Sequence, residues 1–371
     1  MPPVLIISND FPPTVGGIEG FVGELCGLLD EDVVVLTRHT PGWHRHDSKI
    51  NFPVHRFGRL LLPTPAVGRR AADLIRRHRV DAVIFGAMAP LALLAPTVRA
   101  AGARRLLAIS HGHESWWATV PGSARLLRRM ADDVDHVSYI SDYTAARIAP
   151  ALSPAARATM IRISPPIDLA RFTPEQPSAG VDHRLLRCVA VGRMVRQKGF
   201  DTLLRAWRRV LDDGPTDPDR ELVLVGDGPQ APALRRLADR LRLGASVRFT
   251  GAVDRAEVAR LLRTATVFAL PVRTRWAGLH PEGLGLGFLE AAASGLPVIV
   301  GRSGGAPETV IEGETGFVVD PEDVRGLASR IDRMLTDRTL AATMGAAGRR
   351  FVADRYAGSV VADAVTAALG R

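Results

Sequence analysis

Lysine is nearly absent from this chain: of 48 basic residues only Lys49 and Lys198 are lysine, leaving 46 arginines. So strong a bias reads as a genome-wide preference for arginine codons, and it draws attention to a lysine kept in a loop, Lys198. Cysteine is as scarce. Cys26 and Cys188 lie in apolar segments, and two thiols supply neither a disulfide framework nor metal-ligand spacing. Aromatic residues make up only 5% and do not interleave with the basic runs, which argues against nucleic acid as a partner despite a net charge of +9. Long apolar runs are missing too, since segments such as 33–36 and 223–225 fall far short of the ~20 residues of a membrane-spanning helix. The opening Met1-Pro2-Pro3-Val4-Leu5-Ile6-Ile7 lacks the basic start and cleavage site of a signal peptide and reads directly as a strand. The expectation is a cytoplasmic protein with an anionic partner.

What is present is a long alternation of short β-branched runs with helical stretches rich in Ala, Leu and Arg. Runs at 4–7, 33–37, 82–85, 105–109 and 136–140 each border a helical stretch, the mark of βα units winding a parallel sheet. The pattern restarts at 188–191, 221–225, 247–249, 267–269 and 298–300, so 371 residues divide into two α/β domains. Between them, residues 163–180 are punctuated by Pro and Gly, show no periodicity, and read as a linker. The expected boundaries are 1–168 for the first domain and 169–354 for the second, with a terminal helix near 355–371 packing back on the first.

Four clusters carry chemistry. Gly16-Gly17 follows the first strand and opens a helix, where backbone N–H groups can approach a phosphate; a tight turn explains the pair equally well. Arg193 and Lys198 lie on the loop at the carboxyl end of the strand that opens the second half, where open α/β sheets bind ligands. Two cations there suit a diphosphate and stand in for a metal, the sequence showing no Asp-x-Asp pair suited to holding one. The sharpest feature is His280-Pro281-Glu282-Gly283-Leu284-Gly285-Leu286-Gly287-Phe288-Leu289-Glu290. Its loop amides can hold phosphates, Glu282 can meet sugar hydroxyls, and Glu290 can accept from a ribose. Finally, His111-Gly112-His113-Glu114 follows a first-domain strand at the equivalent position, where His111 can polarise a hydroxyl or serve structure alone.

Taken together these residues resemble the family 4 glycosyltransferases of GT-B architecture, and the resemblance spans essentially the whole chain. It implies two Rossmann-like domains with parallel sheets facing across a cleft. It also implies a donor phosphate over Gly16 and Gly17, a diphosphate on Arg193 and Lys198, and the family's Glu-x7-Glu pair at Glu282 and Glu290 with Gly283, Gly285, Leu286 and Gly287 between them. By the same resemblance His111 is expected beside the transferred sugar, and the backbone at Ala252 and Val253, after Phe249-Thr250-Gly251, is expected to read the base edge, purine or pyrimidine. The chain is more closely similar to the GDP-mannose-dependent phosphatidylinositol monomannoside mannosyltransferases. Asn9-Asp10-Phe11-Pro12-Pro13, Arg273-Thr274-Arg275 and Gly301-Arg302-Ser303-Gly304-Gly305 carry that likeness. Glu19, where those enzymes often carry Gln, Trp276 and His280-Pro281 depart from it.

The resemblance implies a retaining hexosyltransferase with no tightly bound cofactor and no metal. A nucleotide sugar, GDP-mannose first, is the donor, and a lipid-linked acceptor such as phosphatidylinositol monomannoside is the partner. Alternatives are another nucleotide sugar or a non-lipid acceptor, or a nucleotide-binding membrane-associated protein without activity. Arg69, Arg70, Arg76 and Arg77 recur at heptad spacing after the apolar 60–62 run, and Trp116 and Trp117 precede a further basic stretch. These suit peripheral docking on the inner face of the plasma membrane, or an ordinary solvated helix face.

Overall fold

In the computed structural model the described residues are 3–14, 16–29, 32–174, 186–214, 220–275 and 280–371. Residues 175–180 of the expected linker and Trp276 lie outside them. The chain divides into two compact units, one made of Met1–Pro166 with Gly358–Arg371 and the other of Ile167–Ala357.

The first unit holds a seven-stranded, all-parallel sheet. Its strands are β1 (Val4–Ile7), β2 (Val33–Thr37), β3 (Val54–Arg56), β4 (Ala82–Phe85), β5 (Arg105–Ser110), β6 (His136–Tyr139) and β7 (Met160–Arg162), in the order β3-β2-β1-β4-β5-β6-β7. The inner strands bear Val, Ile and Leu on both faces because helices cover both, which is what a parallel sheet requires. One face packs on Leu74, Ile75 and Leu127, and the other on Phe21, Val22, Leu25 and the terminal helix residues Val361 and Val365. That terminal segment is two helices, Arg338–Tyr356 and Gly358–Ala368, separated at Ala357, which bridges to Ile167.

The second unit repeats the plan with six parallel strands: β8 (Leu186–Val191), β9 (Arg220–Val225), β10 (Val247–Gly251), β11 (Val267–Leu270), β12 (Val298–Gly301) and β13 (Gly316–Val319), ordered β10-β9-β8-β11-β12-β13. In both sheets chain order reverses once, between β1 and β4 and between β8 and β11. Such a reversal splays the flanking loops apart at the carboxyl ends of the strands and leaves a crevice for a ligand.

Residues 163–174 are not the loose connection that their composition suggests. Ile163 is in the core of the first unit, while Ile167 and Phe172 are buried in the second, and the Arg349 guanidinium donates to the Phe172 carbonyl at 2.8 Å. Pro-rich spacing hid three anchoring apolar side chains.

Candidate functional site

The loops flanking the β8/β11 reversal bring together residues far apart in sequence. After β8, a single 3₁₀ turn, Arg196–Lys198, ends at Gly199, whose φ of 70° is in the left-handed region. Lys198 at the end of that turn donates from Nζ to Glu282 Oε2 at 2.8 Å, with both side chains largely shielded from solvent. Beside it Gln197 donates from Nε2 to the Pro281 carbonyl at 2.8 Å, and its Oε1 is 3.2 Å from His280 Nδ1. Arg193 stands exposed at the head of the same loop. The sequence points to Lys198 and Glu282 as separate ligand contacts; the structure makes them an ion pair.

A third loop, after β12, fixes Glu282 from behind. Its backbone N–H donates to Ser303 Oγ at 3.2 Å, and its carbonyl accepts from Gly305 N at 2.9 Å. Gly304 between them has φ 56°, and a Cβ there would overlap the Glu282 carbonyl oxygen. Ser303 Oγ is in turn 2.9 Å from Thr274 Oγ1, on the loop after β11. Loops from three strand ends thus fix Glu282, Lys198 by its carboxylate and the Ser303 loop by its backbone. Past Glu282 the Gly-rich loop reaches Gly285, at φ 96°, which caps the helix Leu286–Ala293. The first N–H groups of a helix have no partner inside it, so the amides from Leu286 and Gly287 onward suit an anion.

Glu290 lies one turn from the end of that helix, buried, and receives Arg255 Nη2 on Oε1 at 2.7 Å. Arg255 opens the helix Arg255–Arg263 directly after the turn that carries Ala252, exposed, and Val253, half-buried. The residue expected at a ribose is therefore paired with a guanidinium that lies two positions past the turn expected at a base.

In the first unit His111 sits after β5 beside the β1/β4 reversal. Its Nε2 is 2.6 Å from the carbonyl of Gly86, the residue after β4; a carbonyl only accepts, so Nε2 carries the proton and in the neutral ring Nδ1 is the acceptor. Phe21 lies edge-on to the ring with centroids 5.3 Å apart. The backbone below is fixed by buried Glu114, which accepts from Ser110 Oγ at 3.0 Å, His111 N at 3.1 Å and Gly112 N at 3.2 Å. Gly16 and Gly17 are exposed at the start of the helix Gly17–Leu29, and a Cβ at Gly17 would meet nothing within 4 Å. Glu19, two residues on, has its carboxyl pushed above the ordinary range by burial, and nearby Asp10 adds to the effect.

The basic helix is formed: Pro65–His78, capped by Thr64. Arg70 and Arg77 pair with Asp73 at 3.5 and 3.0 Å, and Arg69, Arg76 and Arg77 are all exposed. Trp116 is about half exposed, and Trp117, half-buried against the core, has its ring 5.3 Å from that of Trp116. Among the described residues no helix is long and apolar enough to cross a membrane, and no three or more His, Cys, Asp or Glu side chains cluster as metal ligands.

Sequence reasoning missed Gln197, Ser303 and Arg255. Ser303 lies in a motif noted only as part of a resemblance, and nothing in a linear sequence marks Arg255 as the partner of Glu290, 35 positions away.

Residues 15–171 match the family described as Glycosyltransferase Family 4, and residues 174–351 match Glycosyl transferases group 1. The chain belongs to the family 4 glycosyltransferases. It is 41% identical, over 95% of its length and 94% of the relative's, to the GDP-mannose-dependent alpha-(1-6)-phosphatidylinositol monomannoside mannosyltransferase of Mycolicibacterium smegmatis. It is 37% identical, over 98% and 96%, to the Corynebacterium glutamicum GDP-mannose-dependent monoacylated alpha-(1-6)-phosphatidylinositol monomannoside mannosyltransferase. Among solved structures, Anabaena HepE in complex with UDP matches with a TM-score of 0.82 over 99% of both chains at 20% identity, which establishes the shared GT-B fold of two Rossmann-like domains.

Proposed function

We propose that this glycosyltransferase moves mannose from GDP-mannose, with retention of configuration, onto phosphatidylinositol monomannoside at an anionic membrane surface. Similarity along nearly the whole chain to enzymes of that donor and acceptor supports the reading. The observation that carries it is the ion pair of Lys198 with Glu282 at the β8/β11 reversal, which brings a cation and a carboxylate together where such a sheet takes a ligand.

In this reading the donor diphosphate lies on Arg193, Lys198 and the amides of Gly283, Gly285, Leu286 and Gly287, with Gly16 and Gly17 leaving room for a phosphate in the first unit. Glu282 holds sugar hydroxyls, Glu290 the ribose, and the turn at Ala252 and Val253 the base. His111 meets the sugar or the acceptor hydroxyl. The acceptor oxygen bonds to the anomeric carbon on the face from which the diphosphate leaves, so configuration is retained. The bond from that carbon to the diphosphate oxygen breaks, and the departing oxygen takes the acceptor proton. Fixed positive charge at Arg193 and Lys198 stabilises the diphosphate as its charge develops, with no side-chain base required. Arg69, Arg76 and Trp116 face anionic lipid on the inner leaflet of the plasma membrane, a peripheral placement.

The test is purified protein with a panel of GDP- and UDP-sugars and vesicles containing mannosylated phosphatidylinositol, followed by mass spectrometry of the lipid. Hexose added only from GDP-mannose is the expected result. Donor consumed without lipid product would overturn the acceptor, and transfer from a UDP-sugar the donor.

A further inference from the structure

Arg273-Thr274-Arg275, one of the motifs that sets this chain's sequence apart, has no part in the site above beyond the Thr274 hydroxyl. Arg273 and Arg275 line a concavity of about 300 Å³ in the second unit, between the start of the helix Phe200–Asp213 and the helix Ala231–Arg240. Arg196, Arg205 and Arg240 converge on it as well. Five guanidinium groups therefore meet one carboxylate, Asp201, and Arg273 already occupies that carboxylate in an ion pair. The other four have no acidic partner among the described residues. The floor is apolar, formed by Phe200, Leu234 and Leu237.

A charge excess of this kind is not general to the Arg-rich surface. The neighbouring concavity, about 660 Å³, which shares Arg205, sets Arg208, Arg209 and Arg325 against Asp212, Asp213, Glu322 and Asp323 and holds no cationic excess. There Arg208 pairs with Asp212 at 2.6 Å and Arg209 with Asp213 at 3.8 Å. Like-charged guanidinium groups left together without counter-ions repel one another, a cost that an anionic ligand removes. Planar guanidinium forks favour phosphate, which they can hold through paired hydrogen bonds.

We propose that this concavity is a second anion site, separate from the Lys198 site, that takes a phosphate ester or diphosphate carrying at least two negative charges. It is wired to the Lys198 loop. Arg273 N donates to the Gln197 carbonyl at 2.8 Å and Arg273 Nε to the Arg196 carbonyl at 2.8 Å, so the segment that lines the concavity also holds the turn that ends in Lys198. An occupant drawn in by Arg196 and Arg275 thus bears on the position of Lys198.

Calorimetric titration of inorganic pyrophosphate into wild type, Lys198→Ala and the double variant Arg205→Ser/Arg240→Ser tests the site. Binding that persists in Lys198→Ala and weakens about tenfold or more in the double variant is expected, two charge-assisted contacts being removed. Thermal melts and GDP titrations of the double variant matching wild type would place the loss in the concavity rather than in folding. The proposal is overturned if wild type binds no pyrophosphate, if all binding disappears with Lys198, or if the double variant binds as wild type does. Binding that disappears entirely with Lys198 overturns the second site while leaving the transfer reaction proposed above, which uses Lys198, standing. Sedimentation with phosphatidic acid vesicles, against phosphatidylcholine alone, identifies the source: capture sensitive to the double variant assigns a lipid headgroup, and its absence alongside pyrophosphate binding assigns a soluble ester.

Discussion

At the scale of single residues the candidate site is organised by charge pairs that exist before any ligand arrives. Lys198 bonded to Glu282 keeps a flexible four-carbon side chain in one place, so the entropy of ordering it is lost on folding and not on binding. Lys198→Ala should therefore lower kcat by about 10²–10³-fold, the range for removing one preorganised charge from a transition state. A circular-dichroism melt should show the protein still folded; an active, folded variant would remove Lys198 from the chemistry. Glu19 has the opposite problem, a half-buried carboxyl with Asp10 nearby, which raises its folded-state pKa above 4.5. An acid with a raised folded pKa contributes fully below its unfolded value, and that contribution is lost as pH rises through the folded one. Glu19→Gln stays neutral throughout. Its melting temperature should match wild type near pH 4 and exceed it at pH 7 by on the order of 1–2 °C. Melting curves across that range decide the matter, and a pH-independent difference would show that burial of charge is not the cause.

At the scale of elements, the loops matter more than the strands, because each loop is fixed by the next. Gly304 shows how tightly. A side chain there must both adopt a left-handed backbone and displace the Glu282 carbonyl. Gly304→Ala should cost about 1–3 kcal/mol and lose most activity, since the carbonyl that moves belongs to Glu282, the residue proposed to hold the sugar. Gly313 is the control: φ is 76° but a Cβ there would meet no atom within 4 Å, so Gly313→Ala should cost about 1 kcal/mol and leave turnover intact. Denaturant melts and initial rates on the two variants separate strain from displacement.

The same contrast explains what could be read in advance. Central strands such as Val4–Ile7 and Val33–Thr37 are unbroken apolar runs, legible because both faces are buried. The strands that escaped notice, Val54–Arg56, Met160–Arg162 and Gly316–Val319, are all at sheet edges, where one side is unpaired, runs are short, and polar residues or glycine break the pattern. In the site, the loops bearing Lys198, Glu282 and His111 were legible from glycines and charges placed after strands. The pairs were not. Lys198 and Glu282 are 84 positions apart and meet only because β8 and β11 are neighbours in the sheet, a fact of topology that no local pattern encodes.

At the scale of the whole molecule, the chain passes from the first unit to the second near Ile167 and returns at Gly358, so the last fourteen residues, 358–371, complete a core begun by the first four-residue strand. Val361, Val365, Ala368 and Leu369 are buried there with Val4, Ile6 and Cys26, and Arg371 pairs with Asp81 at 2.5 Å. Each fully buried aliphatic side chain stabilises by ~1.5–3 kcal/mol, so losing two valines and a leucine withdraws ~5 kcal/mol or more. That is comparable with the whole stability of a typical domain, ~5–15 kcal/mol. Deleting 358–371 should therefore unfold or severely loosen the first unit while sparing the second, whose own core lies within Ile167–Ala357. Limited proteolysis read by mass spectrometry distinguishes the cases: cleavage throughout 3–166 with 186–357 protected is expected. Protection of both would mean that the terminal helix is a dispensable cover, and cleavage of both that neither unit holds its fold alone.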